Sequence, residues 1–145
     1  MSQTTSNEKP EVAARTAEIV REYGPFAGSD RVAGVTHDGH HVWAATSSGL
    51  IAFDPATGTI LRTIESNRFV TGVTWVDGEL WHGTWEGDES EVRRIDPDSG
   101  TVLERLRMPP GVNVSGLESD GADLFYCGGG SGKVRAVRRP ERGGS

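Results

Sequence analysis

Four histidines are the residues of this sequence best suited to proton transfer or metal binding. They are His37, His40, His41 and His82. A metal site needs three or four ligands that converge on one point. His40 and His41 are adjacent at the expected start of a strand, so their side chains point to opposite faces. We therefore predict exposed turn histidines at positions 37–41 and a histidine packed in the core at position 82.

A cluster of carboxylates follows His82 and offers the oxygen ligands that Ca²⁺ prefers. Its members are Glu86, Asp88, Glu89 and Glu91. Their spacing lacks the glycine-centred pattern of an EF-hand loop. We expect a solvated acidic loop and no cofactor, with a divalent metal such as Ca²⁺ or Mg²⁺ as the alternative.

The glycine-rich run at residues 128–132, followed by Lys133, invites comparison with a phosphate-binding loop. That motif needs a glycine and a Ser or Thr where this sequence has Cys127 and Val134. The run also leads into a strand, so no helix N-terminus would face a phosphate. We predict a hairpin connection here. For Cys127, which needs a neighbouring base to act as a nucleophile, we predict a buried, inert thiol.

The stretch Val70–Arg107 reads as one unit of four short strands. Its apolar runs, rich in Val, Leu, Ile, Trp and Thr, are typical of strands. They are separated by the Asp77-Gly78 turn, an acidic loop at 85–90 and a Pro- and Gly-containing turn at 96–100. Pro presets φ within such turns and Gly accepts positive φ at their ends.

This unit recurs at Val32–Ile64 and, without its last strand, at Val114–Arg138. Glycines in an x-Gly-Val/Leu pattern stand at 34, 72 and 116, and turn aspartates stand at 38, 77 and 120. Four short strands per repeat of this length are typical of β-propeller blades. The sequence thus predicts an all-β propeller with three blades in this chain. Trp43, Trp81 and Phe125 are expected to share one core position in the three blades.

The segment Thr16–Arg21 aligns with Thr57–Arg62, the fourth strand of the first repeat. We favour a strand there, although the composition of 11–23 also allows a helix. The chain then begins with the fourth strand of a blade and ends with a blade that lacks one. The predicted layout is a disordered tail at 1–14, a propeller unit at 15–139 and a C-terminal tail at 140–145.

Three blades alone would have to be about 120° apart, whereas propellers usually have roughly four to eight blades. An open arc would expose two apolar blade faces. The simplest closed arrangement is a homodimer that forms a six-bladed ring. In it, each Thr16–Tyr23 strand completes the last blade of the partner copy.

Composition narrows the class of partner. A net charge of −6 in 145 residues argues against nucleic-acid binding. No apolar run is long enough to span a membrane, and residues 1–10 lack the apolar core of a signal peptide. With one cysteine and therefore no internal disulfide, we expect a cytoplasmic location.

In a propeller, two kinds of loop open on the same face: those before each first strand, and those between the second and third strands. Ligands bind where such loops converge. The residues we place at this mouth are Asn67, Arg68, Trp85, Glu86 and Asn113.

Two stretches carry a resemblance to a known family. The pattern Gly72-Val73-Thr74-Trp75-x-Asp77-Gly78-x-Leu80-Trp81, together with the Asp-Pro-x-x-Gly turn at 96–100, resembles bacterial glutaminyl-peptide cyclotransferase-like propellers. Streptogramin-lyase-type propellers are somewhat less similar. The resemblance covers residues 16–140 and implies a shortened member of the group, natural or engineered, because such propellers usually carry five blades on a longer chain. His82 stands where the cyclotransferases have a candidate acid/base glutamate.

Two functions are consistent with these residues and repeats. The first is a non-catalytic propeller module, a scaffold or a binder of a small molecule or peptide at the channel mouth. The alternative is a cyclotransferase-like or metal-dependent lyase-like enzyme with His82 and Glu86 as acid/base groups.

Overall fold

The computed structural model describes residues 12–141, which contain eleven β-strands and no helix. The strands form three antiparallel sheets, which we name blades 1 to 3. Blade 1 consists of β1 (Val32–His37), β2 (Val42–Thr46), β3 (Gly49–Phe53) and β4 (Ile60–Glu65). Blade 2 consists of β5 (Phe69–Val76), β6 (Glu79–Glu86), β7 (Glu89–Ile95) and β8 (Val102–Arg107). Blade 3 consists of β9 (Leu117–Ser119), β10 (Leu124–Cys127) and β11 (Arg135–Arg138).

Each blade is an up-and-down meander, with the strands hydrogen-bonded in chain order. The all-β class and the four-stranded repeat are thereby confirmed. Within residues 12–141 no helix could span a lipid bilayer. The predicted tails at 1–14 and 140–145 lie largely outside the described residues.

The turns between third and fourth strands are stabilised by an aspartate side chain. In blade 2, Asp96 Oδ1 accepts hydrogen bonds from the backbone N–H groups of Asp98 and Ser99. Gly100, with φ of 80°, donates its N–H to the Asp96 carbonyl oxygen. Aspartate side chains stabilise turns in this way, and Asp54 builds the equivalent turn of blade 1.

Apolar residues fill the two junctions between blades. Buried residues between blades 1 and 2 include Trp43, Leu50, Val73 and Leu80. Between blades 2 and 3 the cluster includes Trp81, Val92, Leu117 and Phe125. Rings of Trp81 and Phe125 meet with their centroids 4.9 Å apart.

The x-Gly-Val/Leu glycine of blade 2 has a steric reason. A Cβ atom on Gly72 would lie 2.7 Å from the carbonyl oxygen of Ser115, in the segment that leads into the innermost strand of blade 3. A Cβ on Gly34 would lie 3.7 Å from the Gly72 Cα, which is an ordinary van der Waals contact. Glycine is therefore required at position 72, where blades 2 and 3 come closest together.

The prediction that Trp43, Trp81 and Phe125 share one position is wrong for Phe125. Val73 pairs with His82 in blade 2, whereas Leu117 pairs with Cys127 in blade 3. Cys127 therefore takes the place of His82, and Tyr126 takes the place of Trp81. Five residues lie between the paired Ser119 and Phe125 of blade 3, whereas four lie between the equivalent pairs, Trp75–Leu80 of blade 2 and His37–Val42 of blade 1. This one extra residue shifts the register by one.

Residues 12–31 form neither a helix nor a strand. Neither the favoured strand at Thr16–Arg21 nor the helix at 11–23 is therefore formed in the described part of this single chain. The segment packs against blade 1, where the ring of Tyr23 lies 4.5 Å from that of Phe53. A Cβ on Gly58 would be 3.6 Å from Tyr23 Cδ1, and a Cβ on Gly100 would be 3.2 Å from Ile64 Cγ2. Tyr23 thus packs near the last turn of blade 1 as Ile64 packs near that of blade 2.

Arg21 and Arg62 also make equivalent contacts with the last turns of blades 1 and 2. Arg21 donates to the carbonyl oxygens of Pro55 and Ala56 in the last turn of blade 1. Arg62 donates to Asp98, the equivalent of Ala56 in blade 2, at 3.0 Å. Residues 19–23 therefore contact the last turn of blade 1 in the way that β4 contacts the last turn of blade 2.

Candidate functional site

The two kinds of loop that the sequence assigns to the mouth meet at one end of the sheets. Ser66, before β5, donates its N–H to the Ser48 carbonyl oxygen between β2 and β3. Ser115, before β9, donates to the Gly128 carbonyl oxygen between β10 and β11. These backbone hydrogen bonds bring the two kinds of predicted mouth loop into contact.

Arg68 neutralises much of the acidic loop. Its guanidinium forms ion pairs with Glu86 at 3.0 Å, Glu89 at 3.5 Å and Glu91 at 3.6 Å. Within residues 12–141 no group of three or more His, Cys, Asp or Glu residues is arranged to hold a metal ion. The carboxylates of this loop are thus used mainly in pairing with arginine.

Glu91 is the centre of a buried network on the face of blade 2 that points to blade 1. Its side chain is 1% exposed. Oε1 accepts from the Nε atoms of Arg93 and Arg105, at 2.8 and 2.9 Å, and Oε2 accepts from Arg105 Nη2. Arg93 also donates to Asn67 Oδ1 at 2.9 Å. The hydrogen bonds from Arg105, followed by those from Arg93, lower the pKa of Glu91 to about 2, so this glutamate is ionised at neutral pH.

His82 is buried, as expected of a core histidine. Its Nδ1 lies 3.0 Å from the Gly83 carbonyl oxygen, and its side chain faces the junction between blades 1 and 2. Burial lowers the pKa of His82 to about 4, so the imidazole is neutral at pH 7. Glu86 lies four residues further along the same strand, about 13 Å away at 3.3 Å per residue. The structure therefore does not bring His82 and Glu86 together as an acid/base pair.

Trp85 is 45% exposed and is held in place by its neighbours. Its Nε1 donates to the Gly87 carbonyl oxygen at 2.6 Å, and its ring meets that of Phe69 edge-on at 6.3 Å. The guanidinium carbon of Arg31 lies 4.7 Å from the centre of the Phe69 ring. Together these contacts make a fixed aromatic surface.

Asn113 lies in the loop between blades 2 and 3, away from the network around Glu91. Its Oδ1 is buried and has no hydrogen-bond partner within residues 12–141. Gly129 contacts it so closely that an added Cβ would be 2.4 Å from the Asn113 carbonyl oxygen. Of the predicted mouth residues, the structure brings together Asn67, Arg68 and Glu86.

Sequence reasoning missed the roles of Arg93 and Arg105. A signal was present, because Glu91 and Arg93 are two residues apart on a central strand and therefore share one face. Charged residues at such positions are rarely buried unless they are paired. Arg105 could be added only once the register was known, since it pairs across the sheet with Arg93.

A cavity of about 420 Å³ opens between blades 1 and 2 beside this network. Its polar side is formed by Glu65, Ser66, Asn67, Arg68, His82, Arg93 and Arg105. Its apolar side includes Leu50, Ile64, Ile95 and Val102.

Solved structures show which fold this is. The chain is similar to the glutaminyl cyclase of Myxococcus xanthus, with 18% identity over 66% of this chain and 42% of that one, at a TM-score of 0.53. The RRP9 WD40 repeats match with 19% identity over 72% of this chain and 33% of that one, at a TM-score of 0.57. WD40 repeats build propellers. This chain has the β-propeller fold.

A third similar structure is BamB from Moraxella catarrhalis. It matches with 22% identity over 75% of this chain and 35% of that one, at a TM-score of 0.56. No family model and no curated protein matches the sequence. The resemblance to glutaminyl-cyclase-like propellers is confirmed at the level of the fold. The chain spans less than half the length of each of these three structures.

Proposed function

We propose that this propeller chain is a non-catalytic binding module that closes a six-bladed ring with a second copy and binds a small molecule or peptide at the ring mouth. The placement of residues 19–23 carries the proposal of ring closure. Tyr23 and Arg21 contact the last turn of blade 1 as Ile64 and Arg62 contact that of blade 2. This placement is what a fourth strand of a preceding blade requires.

The missing part of that preceding blade corresponds to blade 3 of another copy. Within the described residues β11 pairs only with β10, so one edge of its backbone is open. Pairing residues 16–21 of the second copy with this edge completes a four-stranded blade. The exchange also removes an open sheet edge, which natural proteins avoid leaving exposed.

Two blade faces that would meet in the ring carry exposed apolar residues. Val35 is 63% exposed, although its equivalents Val73 and Leu117 are buried against the preceding blade. Tyr126 is 43% exposed, although its equivalent Trp81 is 1% exposed against the following blade. Contact between blade 3 of one copy and blade 1 of the other covers both, and it occurs twice in the ring.

Replacing Tyr126 with glutamate is expected to prevent ring closure, because it places a charge in an interface between blades. Light scattering should give twice the chain mass of 15.5 kDa for the unaltered protein and 15.5 kDa for the variant. Leu103→Glu is the matched control: Leu103 is 44% exposed on the outer strand of blade 2, outside the proposed interface. A monomeric mass for the unaltered protein would disprove ring closure.

Binding at the mouth is supported by the fixed aromatic surface of Trp85 and Phe69, with Asn67, Arg68 and Asn113 in the surrounding loops. Aromatic surfaces beside polar groups are typical of ligand sites. A ring places two copies of this surface at one mouth. The alternative within this proposal is a scaffold, which would bind no ligand at the mouth.

We expect no turnover of a peptide with N-terminal glutamine, with or without Ca²⁺ or Mg²⁺. Buried His82 is neutral and Glu86 is paired with Arg68, so neither is placed as an acid or base beside the other. A coupled ammonia assay measures the cyclisation. Turnover that is lost in His82→Ala would instead support the enzyme.

A further inference from the structure

The cavity between blades 1 and 2 has a polar side that the propeller fold does not require. The strand registers assign three of its residues an equivalent in blade 1. His82, Arg93 and Arg105 stand where blade 1 has Ala44, Ile51 and Thr63. Blade 1 forms the same kind of sheet with small or apolar residues at these positions. The charges of blade 2 therefore need another reason.

A contribution to stability is a weak explanation for the charged residues of blade 2 that line the cavity. Replacing buried ion pairs by well-packed apolar residues is often neutral or stabilising, because desolvation of the charges offsets their attraction. Blade 1 has Gly49 where blade 2 has Glu91, which agrees with this expectation. Charged groups kept at such a cost are candidates for a binding role.

Three arginines, Arg68, Arg93 and Arg105, line the cavity together with one carboxylate, Glu65, so its lining carries more positive than negative charge. Arg93 is 5% exposed, and the carboxylate that it contacts, Glu91, is shared with Arg105. Arg68 directs its Nε and Nη2 to Glu86 and Glu89, while its buried Nη1 lies 3.6 Å from Glu91 Oε2, too far for a hydrogen bond. His82 adds no charge at neutral pH. Glu91 thus serves all three guanidiniums that line the cavity.

The geometry points to a site for a small aliphatic carboxylate in this cavity. Its carboxylate would accept hydrogen bonds from the Arg68, Arg93 and Arg105 side, since guanidinium groups match carboxylates closely. Its alkyl chain would lie on Leu50, Ile64 and Ile95. A volume of about 420 Å³ falls within the usual range of small-molecule sites.

This site does not depend on ring closure, because a single chain provides both of its walls. Trp85 and Phe69 do not line it, although Asn67 and Arg68 border both the cavity and the aromatic surface. A monomeric protein that binds the carboxylate would therefore disprove the ring and leave this inference standing.

Calorimetric titration of the full chain tests the inference with three probes: 4-methylpentanoate, its uncharged amide, and inorganic phosphate. We expect saturable binding of the carboxylate and at least tenfold weaker binding of the other two. Equal binding of the amide would overturn the role of the arginines. Phosphate binding without carboxylate binding would overturn the apolar side of the site, and no binding of the carboxylate would overturn the whole inference.

Two arginines on β8 provide a matched pair of variants. Arg105→Gln removes a guanidinium that lines the cavity, whereas Arg107→Gln removes one that is 4.0 Å from Glu91 and does not line it. We expect at least a tenfold loss of carboxylate affinity for the first and less than a twofold change for the second. Equal losses would indicate a general charge effect and contradict the site.

A third variant fills the cavity without touching a charge. Val102 lines it from β8 and is 42% exposed, so Val102→Phe should fold normally while occupying the apolar side. We expect carboxylate binding to be abolished and the melting temperature without ligand to be unchanged. Unaltered binding in a variant that folds normally would show that the probe binds elsewhere.

Discussion

Replacement of Glu91 by alanine lowers the free energy of unfolding by about 3–5 kcal/mol, the usual cost of removing one partner of a buried ion pair. Arg93 is buried and loses its only carboxylate within residues 12–141, and Arg105 loses a bidentate contact. Urea denaturation at a fixed protein concentration measures the change, which must be compared at one concentration if the chain associates.

Glu104→Ala is the control for this prediction. Glu104 also accepts from an arginine of blade 2, Arg94, at 2.6 Å, but both side chains are about a third exposed. Exposed pairs contribute roughly 0–1 kcal/mol because water screens their charges. If the two variants lost the same free energy of unfolding, the burial of Glu91 would not explain the contribution of its network to stability.

The same network predicts behaviour in acid. Because the folded-state pKa of Glu91 is lowered from 4.5 to about 2, its contribution is complete above pH 4.5 and is lost as the pH falls towards 2. Added salt should change this contribution little, since buried pairs are screened much less than exposed ones.

The repeat was visible in the sequence because its chemistry is local. An aspartate followed by glycine makes a turn wherever it stands, and the glycine at 72 is required by its close contact with Ser115. Trp43 and Trp81 likewise follow from strand alternation. These signals need no knowledge of distant residues, so the blades could be predicted.

Position 125 was misassigned because register depends on turn length. The alignment matched Phe125 to Trp81 by their aromatic character, yet one extra residue between the first two strands of blade 3 moves Tyr126 to that position. A shift by one residue sends every side chain of a strand to the opposite face. The sequence alone could not show which of two adjacent aromatic residues faces blade 2.

The candidate site was predicted only in part, for a related reason. Loop order along the chain was enough to place Asn67, Arg68 and Glu86 at one end of the sheets. The partners of these residues, Arg93 and Arg105, lie on strands β7 and β8, and their contacts depend on pairing between distant parts of the chain. The acidic loop is exposed at residues 85–89, as predicted, whereas Glu91 is buried among arginines.

His82 is expected to make stability depend on pH in a higher range than Glu91. Burial lowers its folded-state pKa from 6.5 to about 4, so the unfolded chain binds a proton more readily between these values. Stability is therefore complete above pH 6.5 and falls as the pH is lowered towards 4. A shift from 6.5 to 4 corresponds to about 3 kcal/mol.

His82→Leu should remove this dependence, because leucine does not titrate and suits a position where blade 1 has Ala44. Measuring the free energy of unfolding from pH 7 to pH 4.5 should give a flatter curve for the variant. His40→Gln, which replaces a histidine exposed on a turn, is expected to retain the slope of the unaltered chain. If His82→Leu retained the same slope, the acid sensitivity would have to arise from other groups, and the neutral, buried state assigned to His82 would be wrong.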